Sequence, residues 1–207
     1  MELVFYTNPM SRGRIVRWML EEIGYPYRTE ILHLAAGDAK TPEFLAINPM
    51  GKVPAIRLGD TVVTETAAIV AYLADVFPEA ELAPLATDPR RGAYFRWLFF
   101  GAGPLEAAIT NKRFSFTIPP EHARFCGYGS FETVMDMMEY AVTQSSYLAG
   151  DQFTAADIYC GAMLGFGLRF ELVEKRPAFT KYWAHINARP AALRAAEIDD
   201  ALLPKAA

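Results

Sequence analysis

Apolar positions alternate between two spacings in the first part of the chain. The short continuous apolar run Leu3–Tyr6 is typical of a buried strand, and Tyr27–Leu32 is predicted to be a second strand. Between positions 15 and 23 the apolar residues recur at the spacing of one helical face, until Gly24 supplies a stop signal. The pattern therefore predicts a β-α-β start.

The same alternation continues to about position 77. Thr41-Pro42-Glu43 has the composition of a helix start, with Thr at the cap and Pro at the first helical position. Val53–Leu58 and Thr61–Val63 are separated by Gly59-Asp60, which favours a tight hairpin turn. Ala67–Phe77 is predicted to be helical. The first domain is expected to run β-α-β-α-β-β-α over residues 1–77.

Proline and acidic residues interrupt the periodicity after Phe77, and we expect a linker at residues 78–87. Residues 88–207 show long helical patterns and no convincing strand, so they are predicted to form an all-α domain. Within it, Thr154 and Asp157 have the spacing of a capping box in which Asp replaces the usual Glu or Gln.

Composition excludes several classes of protein. Lys and Arg number 20 against 24 Asp and Glu, a formal net charge of −4, which argues against a nucleic-acid partner. With 52% hydrophobic and 21% charged residues the chain is apolar enough to bury a core. Its longest uncharged runs are far shorter than the roughly 20 apolar residues of a membrane span. Without a recognisable secretion signal, we expect a cytoplasmic protein.

Metal and dithiol chemistry are not expected. The two cysteines, Cys126 and Cys160, are isolated and form no CxxC pattern. Cys160 falls in a capped apolar helix and is expected to be a small buried hydrophobe, and Cys126 has no basic activator beyond Arg124.

Several local motifs, taken in order, resemble the cytosolic glutathione transferases. They are Tyr6-Thr7-Asn8-Pro9-Met10-Ser11-Arg12, Asn48-Pro49-Met50-Gly51-Lys52-Val53-Pro54, Thr64-Glu65-Thr66, the segment from Gly150 to Asp157, Arg176-Pro177-Ala178 and Arg189-Pro190-Ala191. Each motif alone is weak, but their order and spacing cover nearly the whole length. The resemblance is to a bacterial-like, serine-type member. It implies a thioredoxin-like domain that holds glutathione, an all-helical domain that forms the electrophile pocket, and a homodimer.

In such a fold Val53-Pro54 is a cis-prolyl turn that presents the Val53 backbone to the cysteinyl unit of glutathione. Glu65 would face the ammonium of the γ-glutamyl group, and Thr66, at a helix start, would hold its carboxylate. Lys52 is a candidate partner for the glycyl carboxylate. Arg12 is a cation at a helix N-terminus, which an anionic neighbour would rationalise.

The thiol must become a thiolate, because a free thiol with a pKa of about 8.5 is only a few per cent ionised at neutral pH. Ser11 is the first candidate to donate a hydrogen bond to that anion, and Tyr6 is the second. The register of the turn leaves the choice open. Backbone donors, Asn8 or Thr7 remain further alternatives.

The second substrate is expected to be a small hydrophobic electrophile. Five aromatic residues lie within positions 94–100, and Tyr94 and Trp97 are candidate contacts. The resemblance implies a detoxifying transferase with glutathione as co-substrate and no metal. A glutathione-dependent peroxide or disulfide reductase, and a non-catalytic binding or interaction protein of the same fold, are the alternatives. An isomerase of the zeta type is disfavoured, because Met10-Ser11-Arg12 replaces that subgroup's serine-rich string.

Overall fold

A computed structural model describes residues 1–203. In chain order the strands and helices are β1 Leu3–Thr7, α1 Gly13–Ile23, β2 Arg28–Ile31, α2 Pro42–Leu45, β3 Ala55–Leu58, β4 Thr61–Thr64, α3 Thr66–Val76, α4 Arg90–Phe100, α5 Glu106–Phe114, α6 Phe131–Gln144, α7 Ala155–Arg169, α8 Pro177–Asn187 and α9 Pro190–Ala201. The predicted fold class, an α/β segment followed by helices, is confirmed.

The chain forms two compact units. The first unit combines Met1–Ala80 with the chain from Ala188 onward, and the second unit is Glu81–Asn187. The first break falls close to the predicted linker. The division differs from the predicted domain of 88–207 at its C-terminal end, because α9 belongs to the first unit.

The first unit is built on a four-stranded mixed sheet in the order β2-β1-β3-β4. β1 runs parallel to β2, and β3 runs antiparallel to both β1 and β4. Leu3, Val4 and Phe5 of β1 are all at most 1% exposed, so both faces of this strand are covered.

An ion pair explains why α9 packs in the first unit. Asp199 of α9 lies 3.2 Å from the guanidinium of Arg17 of α1, and the two side chains are 1% and 2% exposed. Arg17 also donates to the hydroxyls of Tyr27, at 3.1 Å, and Thr29, at 2.9 Å. Burial, together with a hydrogen bond to Glu21, raises the pKa of Tyr27 to about 12. A buried charge is tolerated when it is paired and hydrogen-bonded, so α9 completes the environment that Arg17 requires.

The second unit centres on α7, whose start is tied together by the predicted capping box. Asp157 accepts hydrogen bonds from the backbone N–H and the hydroxyl of Thr154, at 2.9 and 3.0 Å, from Leu148 N–H at 2.8 Å and from the Tyr182 hydroxyl at 2.7 Å. Burial raises the pKa of Asp157, and it raises the pKa of Tyr182 well above its usual value. Besides closing the capping box with Thr154, the Asp157 carboxylate thus accepts hydrogen bonds from Leu148 and Tyr182.

A π-helical turn, Gly101–Leu105, joins α4 to α5. A Cβ atom at Gly101 would lie 2.7 Å from Cys160 Sγ of α7, so this close approach needs glycine. No helix within residues 1–203 is long and apolar enough to cross a membrane.

Candidate active site

Three of the predicted binding segments converge because of the sheet register. Tyr6 near the end of β1 is paired with Ala55 at the start of β3, and Ala55 is paired with Thr64 at the end of β4. Neighbouring strands lie about 4.8 Å apart. The β1–α1 turn, the Val53-Pro54 step and the start of α3 therefore lie side by side at one edge of the sheet.

Ser11 lies in the first of these segments, half-buried just before α1. Its hydroxyl donates to the carbonyl of Asn8 at 2.7 Å and accepts from the N–H of Gly13 at 3.0 Å. The Ser11 oxygen thus lies just before α1, and its hydrogen is used inside the turn. Donation to a bound thiolate requires the Ser11 hydroxyl to turn away from the Asn8 carbonyl.

Tyr6, the second candidate donor, also has a partner. Its ring packs against Phe44 of α2 with centroids 5.9 Å apart. Interaction with the Tyr6 hydroxyl is the main cause that raises the pKa of Arg57 above its usual value. The phenol oxygen therefore lies near Arg57, which is paired with Val4 and is the diagonal neighbour of Tyr6 across the β1–β3 ladder.

The Val53-Pro54 bond is cis, as predicted. Pro54 is buried and Val53 is half-buried. The ladder registers of β3 begin at Ala55, so the amide and carbonyl of Val53 lie beyond the paired part of the strand.

The start of α3 combines an unusual backbone with an open helix end. Glu65 is exposed and has φ of 66° and ψ of 118°, a region that residues other than glycine rarely adopt. Within the described residues no side chain caps α3, and the first helical bond runs from Ile69 N–H to the Glu65 carbonyl. Thr66 is 7% exposed. Strained residues of this kind persist where the surroundings hold them, often at binding sites.

Exposed cations lie beside two of these segments. Lys52 directly precedes Val53, and Arg12 is the cap residue of α1, at the end of the β1–α1 turn. Lys40, which the sequence did not single out, is a further cation nearby, and its ammonium donates to the carbonyl of Met50 at 3.1 Å. In the sequence Lys40 is a single charged residue twelve positions before Lys52, with no motif around it that indicates binding.

Two asparagines hold the turns, a role that was not predicted from the sequence for Asn8 or Asn48. The side chain of Asn8 accepts from Met10 N–H at 2.9 Å and donates to the Leu32 carbonyl at 2.8 Å. Asn48 does the same, with Met50 N–H at 3.1 Å and the Lys52 carbonyl at 2.8 Å. The repeated string Asn-Pro-Met was the available signal, because Asn commonly bonds to the backbone two residues later.

The remaining candidates lie in the second unit. Tyr94 and Trp97 of α4 are 0% and 4% exposed, whereas Phe95 and Phe99 are 39% and 73% exposed. Contact of Tyr94 or Trp97 with a substrate stays a prediction.

Cys160 is buried, and its thiol donates to the Trp97 carbonyl at 3.0 Å. Burial raises the pKa of Cys160, so this thiol is held in its neutral form. Among the described residues there is no group of three His, Cys, Asp or Glu side chains that would hold a metal ion.

Comparison with known proteins identifies the class to which this fold and site belong. The glutathione S-transferase N-terminal domain model matches residues 10–76, and the glutathione S-transferase C-terminal domain model matches residues 130–190. Together the two models span more than half of the chain. The chain belongs to the glutathione S-transferase family and is a glutathione transferase.

Individual relatives agree along most of the length. A glutathione S-transferase from Hyoscyamus muticus is 29% identical over 86% of this chain and 89% of its own. A glutathione transferase from Methylococcus capsulatus superposes with a TM-score of 0.77, at 28% identity over 96% of this chain and 99% of its own. A glutathione transferase homolog from Sulfitobacter, solved with bound glutathione, gives a TM-score of 0.75 at 27% identity, over 98% of this chain and 99% of its own.

Proposed function

We propose that this transferase binds glutathione at the sheet edge formed by the β1–α1 turn, Val53-Pro54 and the start of α3, and that Ser11 stabilises the bound thiolate for transfer to a small hydrophobic electrophile. The register that aligns Tyr6, Ala55 and Thr64 carries the proposal, because it brings the three segments together. The bound glutathione of the Sulfitobacter relative supports it.

The cysteinyl unit is assigned to Val53. A peptide that adds to the end of a sheet pairs its own amide and carbonyl with free backbone groups. Val53 offers such groups beyond the β3 ladder, and the Asn48 side chain, which donates to the Lys52 carbonyl at 2.8 Å, braces the residue before it.

The γ-glutamyl end is assigned to the start of α3. Its carboxylate would accept from the uncapped N–H groups and from Thr66, where the helix dipole favours an anion. Its ammonium would pair with the Glu65 carboxylate, and a charge-assisted bond of this kind contributes about 1.5–3 kcal/mol. The positive φ of Glu65 supports this role, because strain of this kind collects where a binding site needs it.

The glycyl carboxylate is assigned to Lys52, with Lys40 as a second cation. The Lys40 ammonium lies 3.1 Å from the Met50 carbonyl, two residues before Lys52. Two exposed ammonium groups on this segment favour an anionic end of the peptide there.

A serine-type mechanism requires that the thiolate be stabilised relative to the thiol, and a hydrogen bond from the Ser11 hydroxyl is of sufficient strength. Lowering the thiol pKa by about two units needs about 2.7 kcal/mol of preference for the anion. One hydrogen bond from a hydroxyl to an anion supplies about 1.5–3 kcal/mol, and the N-terminus of α1 adds to it. Tyr6 is the weaker candidate, since its hydroxyl lies near the Arg57 guanidinium, whose pKa it raises, whereas Ser11 lies in the turn that leads into α1.

The transferase chemistry is favoured over thiol exchange through a protein cysteine, because the first turn contains Ser11 and no cysteine. We also propose a homodimer in the cytoplasm, on the strength of the family to which the chain belongs.

Turnover of a reactive haloaromatic electrophile tests the mechanism. We expect Ser11→Ala to lower kcat tenfold or more, at least about 1.4 kcal/mol, while the dissociation constant of glutathione changes little. Tyr6→Phe should leave kcat nearly unchanged. A collapsed Tyr6→Phe beside an active Ser11→Ala would transfer the role to Tyr6.

A further inference from the structure

The geometry points to Arg14 as a positioning residue for the Ser11 turn, with Asp200 of α9 holding Arg14 in place, and we propose that this pair tunes glutathione activation. The inference rests on the proposed role of Ser11. Arg14 and Asp200 have no contact with the assigned glutathione groups in that proposal.

Arg14 connects two parts of the first unit. Its Nε donates to the carbonyl of Pro9 at 2.7 Å, inside the turn that carries Ser11. Its terminal nitrogen forms an ion pair with the Asp200 carboxylate. One planar guanidinium therefore joins the catalytic turn to the C-terminal helix, and its fixed geometry makes both bonds directional.

A buried ion pair next to Asp200 attaches α9 to α1. The preceding residue, Asp199, is the buried partner of Arg17, one turn further along the same face of α1. Asp200 is thus placed by a buried contact, although its own side chain is 57% exposed. Exposed ion pairs contribute little to stability. We therefore expect the Arg14–Asp200 pair to act by positioning the Arg14 guanidinium and not by stabilising the fold.

The Pro9 carbonyl matters because Ser11 has to change partners. Its hydroxyl now donates to the neighbouring carbonyl of Asn8 at 2.7 Å. Turning toward a thiolate breaks that bond, and the turn then depends more on its other contacts. Arg14 is one of them, and a turn that shifts by a fraction of an ångström would misplace the donor.

A direct effect of charge predicts a different outcome. If Arg14 acted only as a cation near the thiolate, removing the opposing anion of Asp200 would strengthen its field and lower the pKa of the bound thiol. If Asp200 positions Arg14, its removal loosens the turn and raises that pKa. The sign of the change in Asp200→Asn separates the two.

The test measures the ultraviolet absorption of the glutathione thiolate against pH, together with kcat and KM for glutathione, in the full-length protein. We expect Arg14→Met to raise the pKa of the bound thiol by about half a unit or more and to lower kcat about threefold to tenfold, with KM changed less than about twofold. Asp200→Asn should act in the same direction by a smaller amount, and Arg14→Lys should not restore activity.

Arg194→Gln is the matched control. Arg194 also joins α9 to α1, through Glu21 at 3.3 Å, but at the other end of α1 and without contact to the turn. We expect it to leave kcat and the thiol pKa unchanged.

The results separate this inference from the proposed function. A lowered or unchanged thiol pKa in Asp200→Asn, or an equal loss in Arg194→Gln, overturns the positioning role. If Ser11→Ala leaves the thiol pKa unchanged, the proposed role of Ser11 fails. A rise in Ser11→Ala beside an unchanged Arg14→Met contradicts only the role of Arg14.

Discussion

The starts of α3 and α7 carry similar residues and use them in opposite ways. At α7, Thr154 and Asp157 are fully buried, and the Asp157 carboxylate accepts four hydrogen bonds from the protein. At α3, Glu65 is exposed on a strained backbone, and no side chain among the described residues caps the helix.

The difference shows how the same chemistry serves folding or binding. A helix start that satisfies its own N–H groups with a buried acid stabilises the fold. A helix start that leaves them open, beside a residue held in a costly conformation, remains available to an anion from outside. We therefore expect changes at α7 to alter stability and changes at α3 to alter glutathione affinity.

The largest effect should come from Asp157→Ala. Removing this carboxylate strands the N–H groups of Leu148 and Thr154 and the Tyr182 hydroxyl, so we expect the free energy of unfolding to fall by about 3 kcal/mol or more. Urea unfolding measures the loss, and exposed Asp151→Ala is the control. A loss below about 1 kcal/mol would mean that the network adds little beyond an ordinary cap.

Glu65→Ala should come next, and it should act on binding. Loss of a charge-assisted bond of about 1.5–3 kcal/mol weakens glutathione binding about tenfold to a hundredfold. Calorimetry measures the affinity. Glu65→Gln should also bind weakly, whereas exposed Glu79→Ala should bind normally. Unaltered affinity in Glu65→Ala would remove the ammonium partner from the account.

A matched pair of threonine variants tests the comparison with a smaller change. Thr154→Ala should lower the free energy of unfolding by about 1 kcal/mol and leave glutathione affinity unchanged. Thr66→Ala should weaken glutathione binding severalfold and change stability by less than about 0.5 kcal/mol. If Thr154→Ala weakened glutathione binding and Thr66→Ala lowered the free energy of unfolding, the roles assigned to the two helix starts would be wrong.

Glu65→Gly should change stability by a small amount and with the opposite sign. Glycine adopts a positive φ without steric cost, so we expect a gain of up to about 1 kcal/mol in the free energy of unfolding together with weaker glutathione binding. Glu81→Gly, at another positive φ of 53°, should match the gain without affecting binding. A destabilised Glu65→Gly would contradict the expected net gain from relieving strain at this position.

Local signals in the sequence predicted most of the fold. The period of the apolar residues located α1, the Gly59-Asp60 turn located the β3–β4 hairpin, and Thr154 with Asp157 located the start of α7. The place of α9 was not predictable, because the Arg17–Asp199 pair joins residues far apart in the chain. Such a pairing leaves no trace in local periodicity.

The candidate site was predictable as a set of segments rather than as atoms. The motifs around Val53, Glu65 and Ser11 named the segments that the sheet register later brought together. The choice between Ser11 and Tyr6 was not visible, because it depends on where each hydroxyl points. The structure shows that the Ser11 hydroxyl bonds to the Asn8 carbonyl, and that the Tyr6 hydroxyl raises the pKa of nearby Arg57.

Whether Ser11 stabilises the bound thiolate is tested by the pKa of the glutathione thiol bound to the wild-type protein and to Ser11→Ala. It is read from the ultraviolet absorption of the thiolate across a pH titration. We expect a pKa at least one unit below the free value of about 8.5 in the wild type, and a rise toward that value in Ser11→Ala. Equal pKa values in the two proteins, or an unshifted wild type, would contradict this role of Ser11.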